Sequence, residues 1–133
     1  MADAVTHIET STTGQPLQSG VLLQKDLPPV GDAPGCVAYV HFNGPTEQLA
    51  TLCTGMAVVE PGASPHPPHS HPEEETMIIA TGTGEITVNG QVTAVGPGAV
   101  MYCAADVLHG IVNTGIEPMT FYFSKWLGKT TAP

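Results

Sequence analysis

The sequence predicts an all-β protein that folds as one small closed barrel or as a double-sheet jelly roll. Short runs rich in β-branched and aromatic residues follow one another closely, and no segment shows a convincing period of 3.6 residues. Frequent turn residues, 15 Gly and 13 Pro in 133 residues, separate these runs. Because so many short strands expose edges, the sheet must close on itself or stack against a second sheet.

The elements follow in order behind a polar, Thr- and Ser-rich N-terminal arm. We expect the arm to cover residues 1–20 and a single barrel domain to cover residues 21–133. A turn-dense connector spans residues 26–35, and the stretch 46–52 is long enough for one helical turn only. Strands or hairpins are predicted wherever an apolar, β-branched or aromatic run is bounded by turn residues: 36–42, 50–60, 75–82, 84–95, 99–105, 107–115 and 119–127.

The best local turn signal lies inside the run 84–95. Asn89-Gly90 separates two alternating segments, and this dipeptide tolerates the positive φ angles of a type I′ turn. We therefore expect Ile86 and Val88 to pair back against Val92 and Ala94.

Charge and cysteine usage narrow the partners and the chemistry. The chain has three lysines, no arginine and twelve acidic residues, for a formal net charge of −9. This balance argues against binding to nucleic acid or to an anionic membrane surface. The three cysteines, Cys36, Cys53 and Cys103, show no CxxC spacing, so we expect small buried residues in strands rather than a disulfide framework.

Targeting signals are not evident in the sequence. No stretch of about 18 apolar residues predicts a transmembrane helix. The first twenty residues lack a basic region followed by an apolar run, so no signal peptide is predicted. A cytoplasmic location is expected, and an exported protein whose signal has been removed is the alternative.

A metal site is predicted from the segment HPPHSHPEEE at residues 66–75, which holds three of the six histidines. His69 and His71 are two residues apart, so on extended backbone they share a face and lie roughly 6.6 Å apart. Glu75 keeps the same parity just beyond the bend at Pro72. Two imidazoles placed in this way can converge on one cation at about 2.1 Å. His109, in an apolar strand, is the expected fourth ligand.

Two spaced motifs resemble those of the cupin family. The first is Pro61-Gly62 followed by His69-x-His71-x3-Glu75-x6-Gly82, and the second is Gly98-x5-Ala104-x-Asp106-x2-His109-x3-Asn113. The resemblance, closest to compact microbial single-domain cupins, implies an RmlC-like jelly-roll β-barrel. It also implies one divalent transition metal ion (Fe, Mn, Ni, Zn, Co or Cu) on His69, His71, Glu75 and His109. Cupins usually pair as homodimers, and the arm before residue 20 would cover an edge strand of the neighbour.

The motifs depart from the family pattern at three places. The spacing from Gly62 to His69 is one residue longer than usual, and Ala104 and Asp106 replace a proline and a glycine. Asp tolerates turn conformations. The departures therefore affect the shape of loops and leave the ligands unchanged.

Residues around the four ligands are assigned secondary places. We expect His66 to be a loop histidine or a partner of a ligand, Glu73 and Glu74 to face solvent or the pocket rim, and His41 to be a barrel histidine outside the site. The inner face next to the ligands is expected to be apolar through Met77, Ile79, Val107 and Ile111, with acids as the charged groups near the pocket.

These features favour a metal-dependent enzyme acting on a small, largely apolar molecule that chelates the metal. Four ligands leave about two open positions on an octahedral ion. A dioxygenase is the foremost hypothesis, with Glu75 as catalytic residue that accepts a proton. Isomerase or lyase chemistry fits the same ligands, and a non-catalytic small-molecule binding module is the third possibility.

Overall fold

The computed structural model describes residues 14–31 and 33–130, which form antiparallel strands and contain no α-helix. A short 3₁₀ turn at Gln24–Asp26 precedes the first strand. The strands are β1 Cys36–Gly44, β2 Leu49–Val59, β3 Glu74–Thr81, β4 Gly84–Val88, β5 Gln91–Val95, β6 Val100–Cys103, β7 His109–Val112 and β8 Met119–Gly128. The prediction of an all-β protein is confirmed.

The strands form two sheets in the manner of a jelly roll. The larger sheet has the order β1-β2-β8-β3-β6, and the smaller has the order β5-β4-β7. All the paired strands run antiparallel. One isolated bridge joins His69 to His109, which ties the loop before β3 to the first residue of β7.

The core lies between the two sheets because each strand alternates apolar inward residues with outward ones. In β8, Phe121 and Phe123 are buried whereas Tyr122 is 44% exposed. From the smaller sheet, Ile86 and Ile111 are buried in the same core cluster. Burial of such side chains contributes about 1.5–3 kcal/mol each to folding, which is why the period-2 pattern determines the sheet faces.

The β4–β5 hairpin has the predicted turn but not the predicted register. Asn89 and Gly90 have φ angles of 52° and 83°, as a type I′ turn requires. Val88 pairs with Gln91 and Ile86 with Thr93. The expected pairing with Val92 and Ala94 was wrong by one residue, since a two-residue loop places the residues on either side of it directly opposite each other.

Several strand boundaries differ from the predicted runs. The run 107–115 contains only a four-residue strand, because Asp106 takes a left-handed φ of 64° just before it and a turn follows it. The Thr46 hydroxyl accepts hydrogen bonds from the backbone N–H groups of Gln48 and Leu49, which makes a tight turn at the start of β2. No helical turn forms at residues 46–52.

The arm and the cysteines can be placed in part. Residues 1–13 of the predicted arm lie outside the described residues, and residues 14–20 have no regular structure. The Leu17 N–H donates to the Pro45 carbonyl at 2.8 Å, so the end of the arm touches the β1–β2 loop. Cys36, Cys53 and Cys103 are all free and lie in strands, as predicted, but only Cys53 and Cys103 are buried, because Cys36 opens β1 and is half-buried. Among residues 14–31 and 33–130, no helix is long and apolar enough to cross a membrane.

Candidate metal centre

Three segments of the chain carry the four predicted ligands. His69 and His71 lie in the loop that precedes β3, Glu75 is the second residue of β3, and His109 opens β7. The backbone N–H of His69 donates to the His109 carbonyl at 2.9 Å, and the reverse bond is also 2.9 Å. The Asp106 N–H donates to the His71 carbonyl at 2.8 Å. Backbone pairing therefore holds these segments together without help from a ligand.

The ligand atoms of the four side chains converge on one point. One donor atom from each of His69, His71, Glu75 and His109 lies within 4.8 Å of the others. Glu75 Oε1 is 2.9 Å from His71 Nε2 and 3.1 Å from His109 Nε2. Two ligands at right angles, each about 2.1 Å from an ion, are about 3.0 Å apart. Both the donor types and their spacing therefore fit a divalent transition metal ion.

In His109 and His71, the ring nitrogen Nδ1, which is not the one that contacts Glu75, contacts other protein atoms. His109 Nδ1 is 2.9 Å from the Val107 carbonyl and 3.3 Å from Cys103 Sγ. His71 Nδ1 is 3.0 Å from the Glu73 carbonyl and 3.4 Å from the Glu73 carboxylate. A proton held on Nδ1 by a carbonyl leaves the Nε2 lone pair for a metal.

The Glu73 side chain has a different place from the one expected. It is 12% exposed and packs against the back of His71. The expectation that it faces solvent or the rim was wrong. The loop at residues 72–73 turns the carboxylate towards the imidazole, and strand parity does not apply to residues before β3 begins.

The pKa values of the ligand side chains are shifted by burial and by their contacts with one another. Burial acts to raise the pKa of Glu75, but hydrogen bonds with His109 and His71 outweigh it and lower the pKa to about 2. Burial, followed by the neighbouring His66 and His109, lowers the pKa of His69 to about 3. Burial alone would lower the pKa of His109, whereas its bond to Glu75 raises it. The arrangement favours a carboxylate beside a neutral His69 imidazole, which are the protonation states of metal ligands.

A pocket lined by three of the four ligands, His69, His71 and Glu75, encloses about 450 Å³ of empty space including its mouth, and His109 lies buried outside its lining. Its apolar lining comes from the larger sheet and one loop residue: Ala38, Ala57, Pro65, Met77, Phe121 and Phe123. Of the four apolar residues expected on this face, only Met77 lines the pocket. Ile79 and Ile111 are buried in the core, and Val107 packs against it.

Lys125 is a site residue that sequence reasoning missed. It lines the pocket, is 8% exposed, and lies on β8 directly opposite Glu75 of β3. The expectation that the charged groups near the pocket are acids was therefore wrong. The signal was present in the sequence, since Lys125 shares strand parity with Phe121 and Phe123 and must point inward with them.

The remaining candidates are not part of the four-residue cluster. The ring of His66 stacks on His69 with centroids 3.6 Å apart and forms part of the pocket wall. Tyr102 donates a 2.6 Å hydrogen bond to Glu74, outside the site. His41 lies 6.2 Å from Tyr122, between ring centroids, on the outer face of the larger sheet. The places expected for His66 and His41 agree with these positions.

Asn113, the last residue of the second motif, is fully buried and has a structural role. Its side-chain amide donates to the carbonyls of Val59 and Glu117 at 2.8 Å each, and its oxygen accepts from the Gly115 N–H. It thereby joins the end of β2 to the loop between β7 and β8.

Together, the two antiparallel sheets and the histidine–glutamate cluster define a small β-barrel domain with a candidate metal centre. The family model for the cupin domain matches residues 55–125, more than half of the chain. The chain therefore belongs to the cupin family. No curated protein matches its sequence significantly.

Solved structures give the same fold. An RmlC-like cupin from Shewanella frigidimarina has a TM-score of 0.70 at 13% identity, over 84% of this chain and 94% of that one. A predicted oxalate decarboxylase from Thermotoga maritima has a TM-score of 0.65 at 21% identity, over 81% and 99%. The polyketide cyclase RemF from Streptomyces resistomycificus has a TM-score of 0.67 at 16% identity, over 86% and 88%. At these identities the likeness is one of fold.

Proposed function

We propose that this chain is a metal-dependent enzyme that acts on a small organic molecule able to chelate the metal. One divalent transition metal ion would be held by His69, His71, Glu75 and His109. The observation that supports this most is the convergence of the four ligand atoms at a pocket open to solvent. A structural metal site has its coordination filled by protein, whereas a catalytic one keeps open positions for substrate.

Dioxygenase chemistry is the foremost version of this proposal. When bound, a redox-active ion supplies Lewis acidity and a route for electrons between a chelated substrate and dioxygen. Glu75 would accept the proton of a substrate hydroxyl or enol, since its side chain lines the pocket. Met77, Phe121 and Phe123 would enclose the apolar part of the substrate and exclude water.

Isomerase or lyase chemistry is the second candidate. It needs the same ligands with the metal as a Lewis acid and no dioxygen. The presence of a buried cation, Lys125, beside the centre favours it, because a cation stabilises negative charge that develops on a substrate. A predicted decarboxylase and a cyclase among the proteins of similar fold are compatible with this candidate.

An oxygen electrode separates these versions. Protein purified without a metal-affinity column would be stripped and reloaded separately with Fe²⁺, Mn²⁺, Co²⁺, Ni²⁺, Cu²⁺ or Zn²⁺, and then mixed with catechols or chelating enols. We expect oxygen uptake only with a redox-active ion and a chelator together, with Zn²⁺ as the inactive control. Spectral changes without uptake would favour the lyase or isomerase. An unaltered spectrum with every chelator would favour a non-catalytic binding module.

We further propose a homodimer as the working assembly and the cytoplasm as the location. The homodimer is supported by an apolar row on the outer face of the larger sheet, which includes the exposed side chains of Tyr122, Ile78 and Val100. The location rests on the sequence expectation given above.

A further inference from the structure

The inner face of the larger sheet carries one polar row that crosses four strands. Cys53 of β2 lies opposite Lys125 of β8, Lys125 lies opposite Glu75 of β3, and Glu75 lies opposite Cys103 of β6. Directly opposed residues in antiparallel strands have Cβ atoms about 4.5–5.5 Å apart. Lys125 therefore lines the pocket directly beside Glu75, a ligand of the candidate metal centre.

The adjacent row on the same face is apolar. Phe123 of β8 lies opposite Gly55 of β2 and Met77 of β3, and Met77 lies opposite Met101 of β6. Phe123 and Met77 both line the pocket. A molecule in the pocket would thus meet charge at the metal end and apolar side chains beyond it.

The placement of Lys125 contrasts with that of the other two lysines. The Lys25 side chain is 76% exposed, and Lys129 is exposed and bonded to the Glu47 carbonyl. Lys125 is only 8% exposed. A lysine is almost never buried unless its ammonium is paired with a charged or polar group. The ammonium has three N–H donors, so Lys125 can keep its contacts within the protein and still donate to a ligand.

We propose that Lys125 determines substrate specificity by binding the carboxylate of a small organic acid. This inference rests on the proposed function and names its substrate class. The acid carries a hydroxyl, enol or carbonyl oxygen next to its carboxylate. That oxygen and one carboxylate oxygen face the metal ligands, and the other carboxylate oxygen accepts from Lys125. The remainder of the acid is apolar and lies against Met77 and Phe123.

Two matched probes test the assignment on Co²⁺-loaded protein. Mandelate and mandelamide share an aromatic ring, a hydroxyl and a neighbouring carbonyl oxygen, and differ in negative charge. The visible spectrum of Co²⁺ reports the dissociation constant of each. The variants are Lys125→Met, which keeps the apolar stem, Lys125→Gln, which keeps a donor without charge, and Lys129→Met as the exposed control.

We expect the preference for mandelate over mandelamide to fall about 10-fold or more in Lys125→Met, as the loss of one charge-assisted hydrogen bond implies. Mandelamide affinity should stay within about twofold of wild type, and Lys129→Met should keep the wild-type preference. Matching Co²⁺ spectra before probe addition would show that the variants keep the centre intact.

Three outcomes would overturn the assignment. An unchanged preference in Lys125→Met and Lys125→Gln would remove Lys125 from substrate binding and leave the proposed function standing. Loss of Co²⁺ from both variants would assign Lys125 to the stability of the centre instead. If neither probe altered the wild-type spectrum, the assignment of a small organic acid as substrate would fail, whereas the proposed function would fail only if the catechols and enols also left the spectrum unaltered.

Discussion

His109 and His66 both approach the candidate metal centre, but they do so in different ways. His109 is fully buried, and its Nε2 points at Glu75 Oε1. His66 stacks on His69, and its Nδ1 contacts the Pro67 carbonyl at 2.7 Å. We expect the first contact of a metal ligand and the second of a residue that positions a ligand.

His109→Ala should therefore cost most of the metal affinity, because the three remaining ligands come from one local segment. His66→Ala should cost roughly 10-fold or less, as is usual for a residue that supports a ligand. Competition against a fluorescent chelator measures both affinities. Equal losses in the two variants would show that the division between ligand and supporting residue is wrong.

Glu75→Gln tests whether the carboxylate has a role beyond binding the metal. Gln keeps an oxygen ligand but cannot accept a proton, so turnover with the active chelator should fall much more than metal affinity. Glu74→Gln is the matched control, since Glu74 accepts from Tyr102 outside the site. Parallel losses of turnover and affinity in Glu75→Gln would restrict Glu75 to metal binding.

At the residue scale, the spacing of the residues and the resemblance to the cupin motifs selected the four converging side chains, although His69 and His71 lie in a loop before β3, where strand parity does not hold. Lys125 was missed because only three lysines in the chain made a cation in the pocket seem improbable, although its parity placed it inward. Glu73 was placed at the solvent or the rim, and this was wrong because it precedes β3, where the direction of a side chain depends on contacts that spacing does not encode. For Lys125, the alternation of side chains along β8 was therefore a better predictor of its place in the pocket than the low lysine content of the chain.

At the element scale, two glycines with the same backbone angle have different surroundings. Gly82 and Gly90 both have φ of 83°. A Cβ at Gly82 would lie 2.7 Å from Met119 Cα and 2.7 Å from the Pro118 carbonyl oxygen. A Cβ at Gly90, in the hairpin turn, would meet nothing within 4 Å.

Gly90→Ala should lower the free energy of unfolding by about 1–2 kcal/mol, the cost of a left-handed conformation for an L-residue. Gly82→Ala should cost at least about 1–3 kcal/mol more, because the backbone of β8 must move to admit the methyl group. Urea unfolding of metal-free protein measures both values. Equal losses of unfolding free energy in the two variants would mean that the backbone around Gly82, between β3 and β4, can shift to accommodate the methyl group without strain.

The hairpin shows how far an element can be predicted. The Asn89-Gly90 dipeptide indicated the turn type correctly, since few residues adopt positive φ. The register requires counting from the two turn residues outwards, and a one-residue error reverses the face of every side chain in β5. As observed, Val92 lies opposite Thr87 and is 57% exposed.

At the scale of the whole molecule, the fold class followed from many short strands and the absence of a helical period. The separation into one sheet of five strands and one of three did not follow, because it depends on long-range pairs such as β2 with β8. Side-chain alternation indicates which face is buried but not which strand is the neighbour. The resemblance to the family motifs implied a jelly-roll barrel but no particular strand pairs.

The outer face of the larger sheet is apolar along a row that crosses all five strands. Tyr39, Met56, Tyr122, Ile78 and Val100 are successive cross-strand partners. Ile78 is 47% exposed and Val100 65%. β1, β2 and β6 contain no Asp, Glu, Lys or Arg, and Glu74 is the charged residue that points outward from β3. Two chains that each carry a net charge of −9 would repel each other least across this face.

We therefore expect a homodimer in which this face packs against its copy, and light scattering at micromolar concentration should give twice the mass of the chain. Ile78→Glu would bury an unpaired carboxylate in the interface and should weaken association at least about 100-fold, giving monomers. Ile116→Glu is the control, because Ile116 is 91% exposed in the loop before β8 and should leave the dimer intact. A monomeric wild type would refute the homodimer. If the Ile78→Glu variant remained a dimer, the interface would have to lie on another surface, for example at the arm before residue 20.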